Sequence, residues 1–338
     1  MKLGVYTAIL HDRDLPAALD VIAGLGLDGA EVNVGGFLPA THLPIDEVMA
    51  SDVARDEYLA LFADRGIALT ALNCNGNPLH PDPSVTHRAD LLAAIPIAAR
   101  LGVDRVITMS GAPANQPNGL RPAWVVNPWN SVDLDSLDHQ WSVAVPFWRE
   151  VDRLAADHGV TVGIEMHPQN IVFNPSTLVR LVEQSRATNV GAEMDPSHLF
   201  WQQIDPIAAL EFLGELVVTA AAKDVRINEA VRIHGVLDDR FRRVPAEDDP
   251  LPLGGGYTLC EWPEDSAWDF VAVGRGHDQE FWNRFVATLA RTAPGVDLAI
   301  EHEDASLGRI EGLEVAAATL RAALDAVSSE ASANRAGQ

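Results

Sequence analysis

Short apolar runs rich in β-branched residues alternate along the chain with amphipathic stretches of helical period. Leu3–Thr7, Ala30–Val34, Ile67–Cys74, Arg105–Met109, Val160–Met166, Val190–Met194, Leu216–Ala222 and Val296–His302 have the length and composition of buried strands. Each is followed by a helical stretch: Leu15–Leu25, Val53–Asp64, Thr86–Leu101, Asp138–His158, Pro175–Gln184, Pro206–Gly214, Asp278–Thr292 and Gly312–Asp325. Asn174-Pro175 and Asp205-Pro206 place a capping side chain and then a proline at two helix starts. Alternation of this kind requires parallel strands joined by crossovers. Eight strand–helix pairs predict one closed (β/α)8 TIM barrel over residues 1–327, with a disordered tail at 328–338. The competing architecture, an open doubly wound sheet, lacks the glycine-rich first turn it would need.

Three connections exceed the usual two to six residues: Gly35–Ser51, Gly111–Leu137 and Val225–His277. They follow strands 2, 4 and 7 at the C-terminal ends, where barrels build their pockets. Trp124 and Trp129 in the second of them suit sugar stacking, a subunit contact or packing within the loop, and Trp129 is a candidate substrate contact.

Strand alternation sharpens the candidate chemistry. In the fifth strand Gly163, Glu165 and His167 share one face, while Val162, Ile164 and Met166 face the helices. By the same rule Gly191, Glu193 and Asp195 align in the sixth strand, Thr219, Ala221 and Lys223 in the seventh, and Ala299, Glu301 and Glu303 in the eighth. Glu165, Asp195 and Glu301 therefore converge on the barrel mouth. Singly, each reads equally well as a solvated strand end or an ion-pair partner; three together repel unless a cation neutralises them. Oxygen-rich ligation suits Mn²⁺ or Mg²⁺, with Co²⁺ or Zn²⁺ open if histidine joins. Asn75 and His80, after the third strand, are candidates for hydrogen bonds to sugar oxygens, whereas Asn77 reads equally as a turn former. Gly274-Arg275-Gly276-His277 reads as a tight turn and helix cap, or as a loop in which Arg275 contacts an oxygen-rich ligand.

Composition narrows the partners. With 24 basic against 48 acidic residues the net charge is −24, which repels phosphate backbones and anionic membrane. Nucleic acid and membrane are thus excluded as expected partners. The apolar runs are too short to span a bilayer. The N-terminus reads as a first strand rather than a signal peptide. Cys74 and Cys260 make no disulfide framework, which favours the cytoplasm.

GIEMHP at Gly163–Pro168, MDPSH at Met194–His198, AKD at Ala222–Asp224, VGRGHD at Val273–Asp278 and IEHED at Ile300–Asp304 occur in order over most of the chain. Together they resemble the sugar phosphate isomerase/epimerase family of xylose isomerase-like barrels. The resemblance implies metal ligation by Glu, Asp, His and Glu from strands 5 to 8, with Glu165, Asp195 and Glu301 in three of those places. Where the family carries its histidine this chain has Ala221, leaving water, His198, His167 or His234 for the fourth position. The GNPLHP, NPW, IEMHP and DPSHLFW segments are similar to the α subunits of C-glycoside deglycosidases. That likeness implies cleavage of a carbon–carbon bond in a 3-oxo-glycoside, His167 as base, and a small β-subunit partner in a homo- or hetero-oligomer.

The expected chemistry is abstraction of a proton alpha to a sugar carbonyl by His167, with Glu165 or Glu301 as alternatives. Lys223 offsets enolate charge, and His198 orients a hydroxyl or acts as the opposing acid. β-Elimination and isomerisation or epimerisation of a free or phosphorylated sugar remain open. So does a non-catalytic sugar-binding subunit. A nuclease-like activity fits poorly with the acidic charge.

Overall fold

The computed structural model describes residues 1–336, with side chains described as far as residue 329. Eight parallel strands form a closed barrel: β1 (Leu3–Tyr6), β2 (Gly29–Asn33), β3 (Ala68–Asn73), β4 (Arg105–Met109), β5 (Thr161–Glu165), β6 (Val190–Met194), β7 (Val217–Ala222) and β8 (Leu298–Ile300). Closure is made where Leu3, Gly4 and Val5 of β1 pair with Leu298, Ala299 and Ile300 of β8. All eight strands coincide with the expected runs to within two residues at either end, because each run is covered on both faces and must be apolar on the helix side.

The outer layer contains Leu15–Gly24, Asp52–Ala63, His87–Leu101, Ser131–His158, Pro175–Ser185, Pro206–Leu213, Gln279–Thr292 and Arg309–Ala336. The capping residues act as the sequence suggested: Asn174 forms a capping box with Thr177, and Asp205 accepts from the Ile207 amide at 2.9 Å. The fourth helix starts earlier than its apolar period indicates. Asn130 caps it by accepting from the Asp133 amide at 3.0 Å, so the polar turn after it is helical and the preceding loop is correspondingly shorter. The last helix continues past Ser328 into the segment expected to be a disordered tail, whose final residues 337–338 lie outside the described residues. Among the described residues no helix is long and apolar enough to cross a membrane.

The main core lies between barrel and helices. Val162, Ile164 and Met166 are buried there with Trp148, Trp282 and Phe285 from the helices. Inside the barrel, space is made by small residues. A Cβ on Gly163 of β5 would come within 2.8 Å of Thr219 Cγ2, which reaches across from β7. Substituting that glycine therefore tests the interior packing. Gly163→Ala should lower stability by about 1–3 kcal/mol through overpacking, and adding Thr219→Ala should recover part of the loss. Urea unfolding of the two single variants and the double variant checks this; strictly additive losses would contradict it.

The connection after β7 is an excursion rather than an open loop. Asp224–Ile227 pairs antiparallel with Trp268–Val271, and two smaller two-stranded sheets lie between them in sequence. Asp224 fastens its far end. One carboxylate oxygen accepts from the amides of Gly274, Gly276 and His277 at 3.0–3.1 Å. The other accepts from Val225 N at 2.8 Å and faces His277 Nδ1 at 2.7 Å. Backbone crowds this carboxylate so closely that a Cβ on Gly276 would meet the Val225 carbonyl. AKD and VGRGHD are thus two halves of one clasp that fixes the excursion over the barrel mouth.

Candidate metal centre and active site

Glu165 ends β5, Asp195 follows β6 and Glu301 follows β8, so strand alternation aims all three at one point. Each has a carboxylate oxygen within 4.8 Å of the others, and all three are buried. Their environments differ. Glu165 receives Asn75 Nδ2 at 2.5 Å on one oxygen and has His198 Nε2 at 3.0 Å from the other. Asp195 accepts from the Ser197 amide at 2.8 Å and hydroxyl at 2.9 Å, with His198 Nε2 at 3.3 Å. Glu301 meets Lys223 Nζ at 3.3 Å. Lys223 also contacts Glu303 at 2.6 Å and lies 4.5 Å from the centre of the Phe270 ring.

At the 4.8 Å bound, an ionised pair repels by about 3–4 kcal/mol at an effective dielectric of about 20. Three such pairs approach the whole stability of a domain. Without a cation the carboxyls respond as this demands. Burial pushes Asp195 up to about 7 despite Lys223. Burial, only partly opposed by Lys223 and reinforced by the neighbouring carboxylates, holds Glu301 well above its usual range. Burial would raise Glu165 too, but the His198 hydrogen bond and the charges around it bring this carboxyl down to about 2. Burial, then His167, drives His198 down to about 3, so its ring is neutral near pH 7.

The donor set fits a divalent cation: three carboxylates, all-oxygen first choice, and nitrogen within reach. Glu165, His167 and His198 form a second overlapping group at the same spacing. Ala221 offers only a buried methyl group. Of the histidines available to complete the shell, His167 and His198 border the site. His234 does not; it stands on the excursion with its Nε2 3.2 Å from Asp265.

The other expected contacts divide. Asn75 is in the site, and its Oδ1 is buried with no hydrogen-bond partner. His80 is in none of the carboxylate and histidine groups. Its Nδ1 accepts from the Asp82 amide at 3.1 Å, and it lines a cleft of about 880 Å³ with Leu79, Leu120 and His139. Asn77 takes its turn-forming role, accepting from the Leu79 and Ala112 amides. Arg275 is held by Asp304 at 2.6 Å and Ser306 at 2.9 Å, a tie between loops rather than a free ligand contact. Trp129 is 91% exposed and takes no part in the buried group, whereas Trp124 packs edge-on against Phe173 at 5.4 Å.

Three site carboxylates were missed as candidates. Glu31 on β2 and Glu193 on β6 are buried and share a further group with Glu301, and Glu303 pairs with Lys223. The usable signal was alternation: Glu193 is in phase with Asp195, and Glu303 with Glu301. Aromatic rings from the excursion were missed as well. Phe270 lies 5.7 Å from His198 and is flanked by Trp268 at 5.3 Å and Trp262 at 5.9 Å.

Residues 19–325 match the xylose isomerase-like TIM barrel family, and the chain belongs to it. It is 33% identical to YfiH of Bacillus subtilis (strain 168), described as an uncharacterized protein, over 327 residues covering 95% of this chain and 98% of that one. Among solved structures it resembles the probable 3-DHS dehydratase AsbF involved in petrobactin synthesis from Bacillus anthracis (TM-score 0.63, 14% identity, 94% and 99% of the two chains). It also resembles an L-ribulose 3-epimerase (TM-score 0.61, 15%, 98% and 97%) and the IOLI protein with a binding zinc atom (TM-score 0.58, 17%, 97% and 99%). At these identities the structural likenesses establish the shared fold.

The raised Asp195 carboxyl has a consequence for binding. Below about pH 7 a cation must displace its proton; above it the carboxylate is already ionised. Mn²⁺ affinity should therefore rise with pH through about 7, with at least one proton released per ion on the acid side and a further one wherever Glu301 is still protonated. Calorimetry in buffers of different ionisation heat measures this, and an affinity independent of pH from about 5.5 to 8 would contradict it.

Proposed function

We propose that this protein is a divalent-metal-dependent enzyme that removes the proton alpha to a sugar carbonyl, leading to β-elimination of a 3-oxo-glycoside. The observation that carries this reading is the meeting of Glu165, Asp195 and Glu301 beside a histidine whose basic nitrogen is free. His167 Nδ1 lies 2.7 Å from the Pro168 carbonyl oxygen, which only accepts, so Nδ1 carries the hydrogen. Nε2 is then the unprotonated atom and the partly exposed base.

A divalent ion held by the three carboxylates, Mn²⁺ by preference and Mg²⁺, Zn²⁺ or Co²⁺ by the same donor set, supplies positive potential where the carbonyl oxygen gains charge. The structural neighbour that carries a binding zinc atom supports the general assignment. The protein's own groups do the rest. His167 Nε2 accepts the alpha proton, and the C–H electron pair moves toward the carbonyl oxygen. When that pair returns, the bond from the β carbon to the aglycone breaks, and the aglycone leaves with its electrons and takes up a proton. His198 holds Glu165 and Asp195 through Nε2, leaving its buried, partnerless Nδ1 to accept from a sugar hydroxyl. Lys223 is charged despite burial, because Glu303 and Glu301 hold its proton, and it offsets negative charge on the substrate.

Phe270 beside His198 and Lys223, backed by Trp268 and Trp262, favours a sugar joined to an apolar or aromatic group, hence elimination over action on a free sugar. The epimerase likeness supports the second reading, reprotonation to an epimer or isomer, with the same first step. The expected small β subunit and oligomer belong to this proposal too. Exposed Trp129, Leu120 and Val132 around the connection after β4 suit a subunit contact.

Proton NMR in D₂O of 3-oxo-glycosides and free sugars, with and without Mn²⁺, tests the first step. One alpha proton should exchange only with metal present, and His167→Ala should slow exchange by about 10²–10⁴-fold. Exchange at the wild-type rate in His167→Ala would remove its role; sugar binding with no exchange and no metal would favour a binding subunit.

A further inference from the structure

Deeper in the barrel than the group at the mouth, Glu31, Glu193 and Glu301 each place an oxygen within 4.8 Å of the others. Glu193 is 0% exposed, and neither of its oxygens has a hydrogen-bond partner. Glu31 spends one oxygen on Asn73 Nδ2 at 2.7 Å. A cavity of about 200 Å³, lined by Glu31, Thr219, Ala71 and Ala299, opens beside Glu31 from the N-terminal ends of the strands. That volume accommodates a hydrated ion. Arg105 also borders the cavity, but its guanidinium is engaged by Asp104 at 3.0 Å and the Val218 carbonyl at 3.0 Å.

Charge balance separates this group from the first. Glu31, Glu165, Glu193, Asp195 and Glu301 are all buried, and the buried cation among them, Lys223, is shared with Glu303. One divalent ion at the mouth leaves Glu31 and Glu193 uncompensated, at a cost of several kcal/mol for each ion. A proton shared between these two would draw them into a direct O–H···O contact, and Glu193 has none, so a proton held by Glu193 alone would sit on a buried acid with no acceptor. Oxygens held apart around a common point suit a cation, whose ligand oxygens are spaced by about 3–4 Å when metal–oxygen bonds are near 2.1 Å.

We propose that Glu31, Glu193 and Glu301 form a second divalent-cation site, with Glu301 bridging it to the ion at the barrel mouth. This rests on the first group also holding an ion. Two ions sharing Glu301 would take over its charge and leave Lys223 to Glu303 and the substrate.

Equilibrium dialysis against Mn²⁺, with electron paramagnetic resonance on the same samples, tests it. The wild-type protein should take up about two Mn²⁺ per chain with a spectrum broadened by coupling between them. Glu193→Gln, nearly isosteric, should retain about one and give the sharp six-line signal of an isolated ion. One isolated ion in the wild type, lost in Glu165→Gln but not in Glu193→Gln, would overturn the second site and leave the first standing. Two ions in both wild type and Glu193→Gln would also overturn it. No binding would overturn both assignments. If Glu193→Gln fails to fold, the wild-type spectrum decides between coupled and isolated ions.

Discussion

Mutual repulsion among buried carboxylates is the constraint around which this molecule is organised. A barrel brings the ends of separate strands to one mouth, and here the chain puts an acid at several of them. Each pair costs several kcal/mol when ionised and unscreened. The protein offsets this with one buried lysine and a neutral histidine that donates to Glu165, but neither balances the total. Positive charge from solution is the remaining source, and under the proposed function it would supply the potential that enolisation requires.

The scaffold serves that arrangement at several levels. Gly163 opens the barrel interior so that Thr219 can cross it, and the Ser197 amide and hydroxyl fix the Asp195 carboxylate. The Asp224 clasp anchors the long excursion after β7, which in turn carries Phe270 against Lys223 and His198. His167 is oriented by a backbone carbonyl rather than by a carboxylate, and its outer nitrogen lies outside that hydrogen bond. The aromatic rings are thus tied to the same loop closure that shelters the lysine.

Most of the barrel was legible because each strand must be apolar toward the helices, and this repeats at regular intervals. The mouth was legible for the same reason: in GIEMH the period of two separates Glu165 and His167 from Ile164 and Met166 without any tertiary information. Loop contacts have no such period. Arg275 looked like a ligand contact but is occupied by Asp304, Trp129 projects outward, and His80 lines a different cleft. Glu31 was overlooked because a single acid in GAEVN reads as a solvated strand position; only closure of the barrel reveals that Glu193 and Glu301 face it.

The central claim is that a cation, not a set of protons, reconciles Glu165, Asp195 and Glu301. Anomalous diffraction from crystals grown with Mn²⁺ addresses it directly. The account predicts a manganese peak enclosed by those three side chains, about 2.0–2.3 Å from an oxygen of each. A map with no peak there, and with the carboxyl groups drawn together in short oxygen–oxygen contacts, would contradict it.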